Sequence, residues 1–276
     1  CDPCPQPQPR PGELAVAEQA GSSIAAFWLR REDGGVRGEL RLLGRDLDPR
    51  GAEVRIEGAS QRGCGRDCWT FRVPGRPATV AVRVRERGRT YVARVPARWD
   101  PAASRRARRL LERAQRTMAR LRSLRQHERI TSGPGTLLAS RYRLQAPDRF
   151  AYRTNGGAGS IVVGRRQWFR SRGGLFERQP FGGGGPGFRT RSWFRWTSYA
   201  RFVRLLHSQR RGGRRLLRIA LMDDATPIWY RLWIDPATMR VVRVRMIAEG
   251  HFMTQRLFAF NRPVEIEPPP RDALAP

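Results

Sequence analysis

The chain has 276 residues, 39 % of them hydrophobic and 9 % aromatic, and carries a formal net charge of +30. That length suits two ordinary domains or one large one with a buried core, and no apolar run approaches the roughly 20 residues needed for a membrane-spanning helix. All 54 Lys-plus-Arg positions are arginine, scattered along strand-like alternations and one helix face, which favours a solvated basic surface or contact with anionic lipid over nucleic-acid recognition.

The first residue is Cys1 rather than Met. It suits the acylated cysteine of a mature bacterial lipoprotein, which would make Cys1 a lipid anchor. It also suits the excised soluble portion of a longer membrane protein. Both place the chain outside the cytoplasm, in the periplasm or at the cell surface, and attached to a membrane; a cloning boundary would give the same start. Residues 1–12, with "CDPCPQPQPRP", read as a proline-rich extended tether.

Residues 13–99 alternate in short runs: "LAVAEQAG", "SIAAFWLRRE", "VRGELRLLG", "AEVRIEG", "CWTFRVPG", "ATVAVRVRERG" and "TYVARVPARW". Seven strands with frequent turns predict a small antiparallel β-sandwich. In "GCGRDCW", Cys64 and Cys68 stand close enough for a local disulfide. A zinc site using all four cysteines is the competing reading, weakened by the distance between the two pairs. The strand rhythm and the Gly-Cys…Cys-Trp turn before "RVPGRPATVAVRV" resemble the immunoglobulin-like YtkA/CopC type of bacterial extracytoplasmic and copper-handling proteins. That stretch contains neither His nor Met, so the resemblance does not extend to copper ligands.

In "SRRARRLLERAQRTMARLRSLRQHERI", Ala107, Leu110, Leu111, Ala114, Met118, Leu121 and Leu124 recur at spacings of three and four. This predicts a long amphipathic helix of about five turns, started by Asp100-Pro101 or Ser104. Strands follow in "QHERITS", "TLLASRYRLQA", "DRFAYRT", "SIVVGRRQWFRSR" and "LFERQP". The Gly-rich "PFGGGGPGFRTRSWFRWTS" lacks a phosphate-loop ending and reads as a flap flanked by Phe181, Phe188, Trp193, Phe194 and Trp196. "SYARFVRLLH" reads as a short second helix with Tyr199, Phe202, Val203 and Leu206 on one side. Four strands close the chain: "RRLLRIALMD", "PIWYRLWID", "RVVRVRMIA" and "HFMTQRLFAF".

The helix, "YRLQAPDRFAYRT" and "WYRLWIDPATMRVVRVRMIAEGHFMTQRLFAFNRPVEI" together resemble the LolA/LolB family of lipoprotein carriers and the LppX-type mycobacterial lipoproteins, over residues ~104–268. The resemblance implies an α+β domain at 100–268, with a curved antiparallel half-barrel sheet covered by the long helix and the short one, followed by a tail at 269–276. It also implies a hydrophobic cavity between sheet and helical lid, holding a lipid or acylated protein. Candidate walls are Leu111, Met118 and Leu121 on the helix. On the strands they are Trp168, Trp229, Leu232 or Trp233, Met246, Phe252, Phe258 and Phe260. The high basicity and the attached sandwich depart from a free shuttle and suit a stationary acceptor or sensor.

No HExxH, GxSxG or paired carboxylates in a strand-end cleft are present, so no enzyme and no cofactor are expected. Asp223-Asp224 reads as a loop pair. His251 and Met253 share a strand face with Met246 nearby, a copper(I)-suited set that sheet packing explains as well. The rival readings are a copper-homeostasis membrane protein's soluble portion and an envelope-stress sensing interaction module.

Overall fold

The computed structural model describes residues 6–44, 52–86, 88–180 and 189–275. The expectations placed on Cys1, Cys4, Phe181 and Phe188 lie outside them.

Eight strands come first: β1 (Leu14–Ala20), β2 (Ser23–Glu32), β3 (Gly35–Leu43), β4 (Glu53–Ile56), β5 (Ser60–Gly65), β6 (Cys68–Pro74), β7 (Thr79–Glu86) and β8 (Arg89–Pro96). They form two antiparallel sheets, ordered β1-β2-β3-β6-β5 and β4-β7-β8. Between them Leu14, Val16, Phe27, Leu29, Leu40 and Phe71 meet Val80, Val82, Val84, Ala93 and Val95, the alternating positions that the sequence pattern marks. The strand not foreseen is β5, an exposed hairpin arm paired with β6, and the Cys64–Cys68 disulfide closes that hairpin.

Next come a two-residue strand β9 (Trp99–Asp100), helix α1 (Ser104–Ala119) and eleven strands. These are β10 (Ser123–Thr131), β11 (Leu138–Gln145), β12 (Arg149–Thr154), β13 (Gly159–Val163), β14 (Arg166–Arg170), β15 (Glu177–Pro180), β16 (Phe202–Arg211), β17 (Arg214–Asp223), β18 (Ile228–Ile234), β19 (Val241–Ala248) and β20 (His251–Phe258). All join one open antiparallel sheet, ordered β15-β14-β13-β12-β11-β10-β20-β19-β18-β17-β16-β9. Two meanders, β10 to β15 and β16 to β20, are joined where β10 pairs with β20. The terminal hairpin β19–β20 therefore sits mid-sheet, not at an edge.

Two helical expectations need correction. The long helix is not seen: α1 spans 16 residues and ends at Ala119, with its N-cap at Ala103 and no side-chain cap. Beyond Arg122 the period changes to two, with Leu124, Gln126 and Glu128 buried and Arg125, His127 and Arg129 exposed. Polar residues at the inward positions hide that alternation, so Leu121 and Leu124 look like a continued helical stripe. The second helix is also absent. Trp196–Tyr199 is a single 3₁₀ turn, and Phe202–Arg211 is β16.

The reason for the second error lies in what covers the sheet. On one face α1 packs through Ala107, Leu111, Ala114 and Met118 against Val203, Ile219, Leu221, Leu232, Ile234, Val241 and Val244. On the other face the first sandwich sheet presents Ala15, Ala17, Ile24, Ala26 and Trp28 to Met222, Trp229, Ile247 and Phe252. Strands covered on both faces carry apolar residues at successive positions, and the period-two signal disappears. Burying a leucine-sized side chain on either face contributes about 1.5–3 kcal/mol, so both covers hold the sheet.

The sandwich contact includes a buried charge cluster. Glu18 of β1 accepts from Arg231 of β18 and Arg245 of β19, all three side chains less than one-fifth exposed. Burial raises the Glu18 carboxyl, but the two guanidiniums outweigh it and hold it below its ordinary range.

The proline-rich segment is not the free tether expected. Gln6 N donates to the Asp224 carbonyl at 3.3 Å, and the Trp28 indole donates to the Pro7 carbonyl at 2.9 Å. The Trp99 indole donates to the Gly12 carbonyl at 2.8 Å, and buried Arg204 to the Glu13 carbonyl at 2.7 Å. Residues 6–13 are thus fastened along the body. Asp223 and Asp224 help: both face Arg201, and Gln8 donates to Asp224. The final segment is docked too. Ile266 exchanges bonds with Arg149 and Gln145, and Phe176 pairs its backbone with residues 273 and 275.

Candidate functional site

The ten proposed wall residues divide between the two faces. Leu111, Met118 and Leu121 are buried in the cluster between helix and sheet, and Met246 and Phe260 pack against that cluster. Trp229 and Phe252 lie on the opposite face, under the sandwich, where the Trp229 ring meets Trp28 edge-on at 6.5 Å. Trp233 shares their side, with Arg243 stacked 5.1 Å above it and Gln209 accepting from its indole. Phe258 alternates with Leu257 and meets His127 and Arg256 on the outer face. Trp168 is paired with Ile161, opposite in direction to inward Val162, and lies beneath Arg166. The expectation that these five line a space shared with the helix is corrected: strand parity turns them away.

The space between α1 and the sheet is occupied by the protein's own side chains. Beside Met118, Leu121, Leu124, Leu144 and Phe194 about 10 Å³ remains, room for roughly one water. The hollow expected between helix and sheet is not found beside these residues, which pack against one another.

An open pocket of about 470 Å³ lies next to it, between residues 189–199 and the helix-side face of the sheet. Its lining is Arg189, Ser192, Trp193, Phe194, Arg195, Trp196, Tyr199, Tyr230, Met253 and Gln255. This falls within the roughly 300–1,000 Å³ typical of small-molecule sites. The wall segment is held at several places. Thr190 N donates to the Pro147 carbonyl at 3.0 Å, in the β11–β12 turn. Gln115 of α1 grips Thr197 twice, donating to its hydroxyl at 2.7 Å and accepting from its backbone N–H at 2.9 Å. Arg108 of α1 donates to the Ala200 carbonyl at 2.7 Å. Within the segment the Phe194 and Trp196 rings lie 5.0 Å apart, and Tyr199 meets Tyr230 across the pocket at 5.7 Å. So α1 holds the wall of the pocket in place but does not itself line the pocket.

The floor is ordered by register. Tyr230 pairs with Met246, and Met246 with Met253; Val244 pairs with Gln255, and Gln255 with Glu128. Beside the floor, on the same face of the sheet, sits a polar group that the sequence reading missed. The Glu128 carboxylate accepts from Gln255 Nε2 at 2.7 Å, Gln126 Nε2 at 3.2 Å and the Tyr142 hydroxyl at 3.1 Å. Gln126 in turn accepts from the Trp193 indole at 3.3 Å, tying the aromatic wall to the sheet. Tyr142, Phe150 and Tyr152 extend the aromatic surface around Trp193. Burial, then the neighbouring Glu128 charge, pushes the Tyr142 hydroxyl far up. Burial, then Tyr199, does the same to Tyr230. Both stay protonated and serve as hydrogen-bonding groups. The signal that could have found Glu128 and Gln126 is the cationic or imidazole residue at every second position of β10, Arg125, His127 and Arg129, which turns the residues between them inward.

Among the described residues the pocket lining holds no His, Cys, Asp or Glu. His251 is exposed, its Nδ1 engaged by the Glu249 carbonyl at 3.0 Å, whereas Met253 is buried at the pocket with its sulfur accepting from Gln255. Among the described residues no group of three or more His, Cys, Asp or Glu is placed to hold a metal ion. No described helix is long and apolar enough to cross a membrane.

Fold and site together define, among the described residues, a β-rich protein with one α-helix, an open twelve-stranded sheet covered on both faces over β16 to β18, and an aromatic pocket whose lining holds no His, Cys, Asp or Glu. No known family and no curated protein matches the chain by sequence. Among solved structures it is similar to LprF from Mycobacterium bovis, with 12 % identity and a TM-score of 0.43 over 60 % of this chain and 98 % of that one. It is similar to the lipoprotein LppX from Mycobacterium tuberculosis, with 11 % identity and a TM-score of 0.42 over 59 % and 99 %. A LolA superfamily protein from Nitrosomonas europaea matches with 12 % identity and a TM-score of 0.28 over 62 % and 97 %.

Proposed function

We propose that the chain is an extracytoplasmic, non-catalytic binding protein that holds the apolar part of a lipid or lipidated protein, a LolA-like carrier or acceptor. The observation that carries this reading is the pocket of about 470 Å³ between residues 189–199 and Tyr230, Met253 and Gln255. Flat rings and a flexible thioether adapt to varied apolar guests. Each methylene withdrawn from water there contributes about 0.8 kcal/mol before the entropy of ordering the guest is subtracted. Among the described residues the lining supplies no carboxylate, imidazole or thiol, which favours binding over reaction. The Cys64–Cys68 disulfide supports an oxidising compartment.

In this reading residues 13–99 form an immunoglobulin-like sandwich and 100–268 the carrier unit. The strand order supports the first part: β2-β3-β6-β5 facing β4-β7-β8 has the neighbour pattern of a constant-type immunoglobulin domain, with β1 added at one edge. The sandwich would act as a fixed back-plate for the carrier sheet.

Native mass spectrometry and solvent extraction of the purified full chain test the reading. The wild type should release an apolar or amphiphilic molecule, and Met253→Trp or Ser192→Trp, which fill the pocket, should not while keeping the wild-type circular dichroism. A wild-type chain that comes out empty and takes up no added lipid would reject it.

A further inference from the structure

We propose that the pocket selects an anionic amphiphile, with its chain among the rings and a carboxylate or phosphate head at Arg189 and Arg195. The inference rests on the reading above that the pocket holds a lipid-like guest, and adds the charge of that guest's head. Among the described residues those two arginines are the only charged ones lining the pocket, and no carboxylate lines it. The Arg195 Nε donates to the Ser192 carbonyl at 3.2 Å, which steers the side chain and leaves its two terminal nitrogens without a protein partner among the described residues. Arg189 has only a loose pair with Asp148 at 3.7 Å, beyond hydrogen-bond reach. Two guanidinium forks six residues apart on one wall suit a planar carboxylate or a phosphate, which accept paired N–H bonds.

Glu128, the buried acid bonded to the pocket residue Gln255, does not compensate them. Its oxygens are taken by Tyr142, Gln126 and Gln255, and it does not line the pocket. A cationic head would meet like charge at the wall, and a neutral head would leave both forks unused. The rest of the lining is aromatic, thioether, amide and hydroxyl, so selectivity for charge resides in these two side chains.

Quenching of tryptophan fluorescence provides the assay, because Trp193 and Trp196 stand in the wall. The full chain is titrated with dodecanoate, dodecyl phosphate, dodecanol and dodecyltrimethylammonium below their aggregation concentrations. At least one anion should bind roughly tenfold or more tighter than dodecanol, the scale of a charge-assisted hydrogen bond. Arg189→Gln/Arg195→Gln should bring the anion affinities down to that of dodecanol, while Arg85→Gln on the sandwich surface should leave the preference unchanged. Preference for dodecyl phosphate over dodecanoate would assign a phospholipid-type head, and the reverse a free fatty acid. Dodecanol binding as tightly as both anions, or a preference that survives in the double variant, overturns the inference alone. Failure of all four probes to bind overturns the underlying reading as well.

Discussion

Replacing Glu18 by alanine strands two guanidiniums at the contact between sandwich and carrier sheet. The Arg231 and Arg245 side chains are only 13 % and 15 % exposed, and Glu18 is 18 % exposed, so water cannot readily take over their solvation. Arg245 keeps a bond to the Thr254 hydroxyl at 3.2 Å, whereas Arg231 has no other side-chain partner among the described residues. Removing one member of such a buried cluster costs about 3–5 kcal/mol, mostly from the charge left behind. The Arg85–Glu53 pair makes the control: its atoms stand 3.7 Å apart with side chains 63 % and 75 % exposed, and Glu53→Ala should cost about 0–1 kcal/mol. At a urea dependence of about 3 kcal/mol per M, Glu18→Ala should lower the midpoint by roughly 1–2 M. The sign with pH follows from the depressed Glu18 carboxyl. Its contribution is present above the ordinary value of 4.5 and is lost as pH falls through the lower folded value, so wild type and variant converge in acid. Replacing the whole cluster with Glu18→Leu, Arg231→Met and Arg245→Leu should recover most of the loss. A Glu18→Ala midpoint indistinguishable from that of Glu53→Ala would refute the view that this cluster locks the two units together.

Gln115→Ala removes both grips on Thr197 and should cost about 1–3 kcal/mol, with faster amide exchange confined to residues 189–200 and weaker ligand uptake. Leu111→Ala opens a cavity at a fully buried site and should cost about 3–5 kcal/mol in denaturant, with ligand stoichiometry unchanged. Trp229→Ala should cost a similar amount while leaving lipid occupancy intact, since that ring lies under the sandwich. Cys64→Ala/Cys68→Ala opens a short exposed loop and should cost about 2 kcal/mol at most, read by thermal unfolding, without affecting the pocket.

The strand content of both halves and the apolar stripe of α1 are legible in the sequence, because Val80, Val82 and Val84 alternate cleanly and Ala107, Leu111, Ala114 and Met118 recur at helical spacing. The faces of the long sheet are not. In β16 to β18 both faces are covered, so Val203 and Leu206, or Trp229 and Tyr230, are equally apolar while pointing opposite ways. Choosing cavity residues by ring size therefore selected Trp229, Trp233, Phe252 and Phe258 from the far face. The true floor, Tyr230, Met253 and Gln255, is marked by parity alone, and parity requires knowing what covers each side. Residues 189–199 lack any period, and only the density of aromatic residues in "SWFRWTSY" hints that they wall a pocket. The docking of residues 6–13 leaves no sequence signal beyond the two indoles that receive it, Trp28 and Trp99.

The measurement that bears most directly on the central claim is a crystal structure of the chain with bound dodecanoate. The account predicts the alkyl chain between residues 189–199 and Tyr230, Met253 and Gln255, with α1 unmoved against the sheet. Ligand density between α1 and the sheet, or between the sheet and the sandwich, would contradict it.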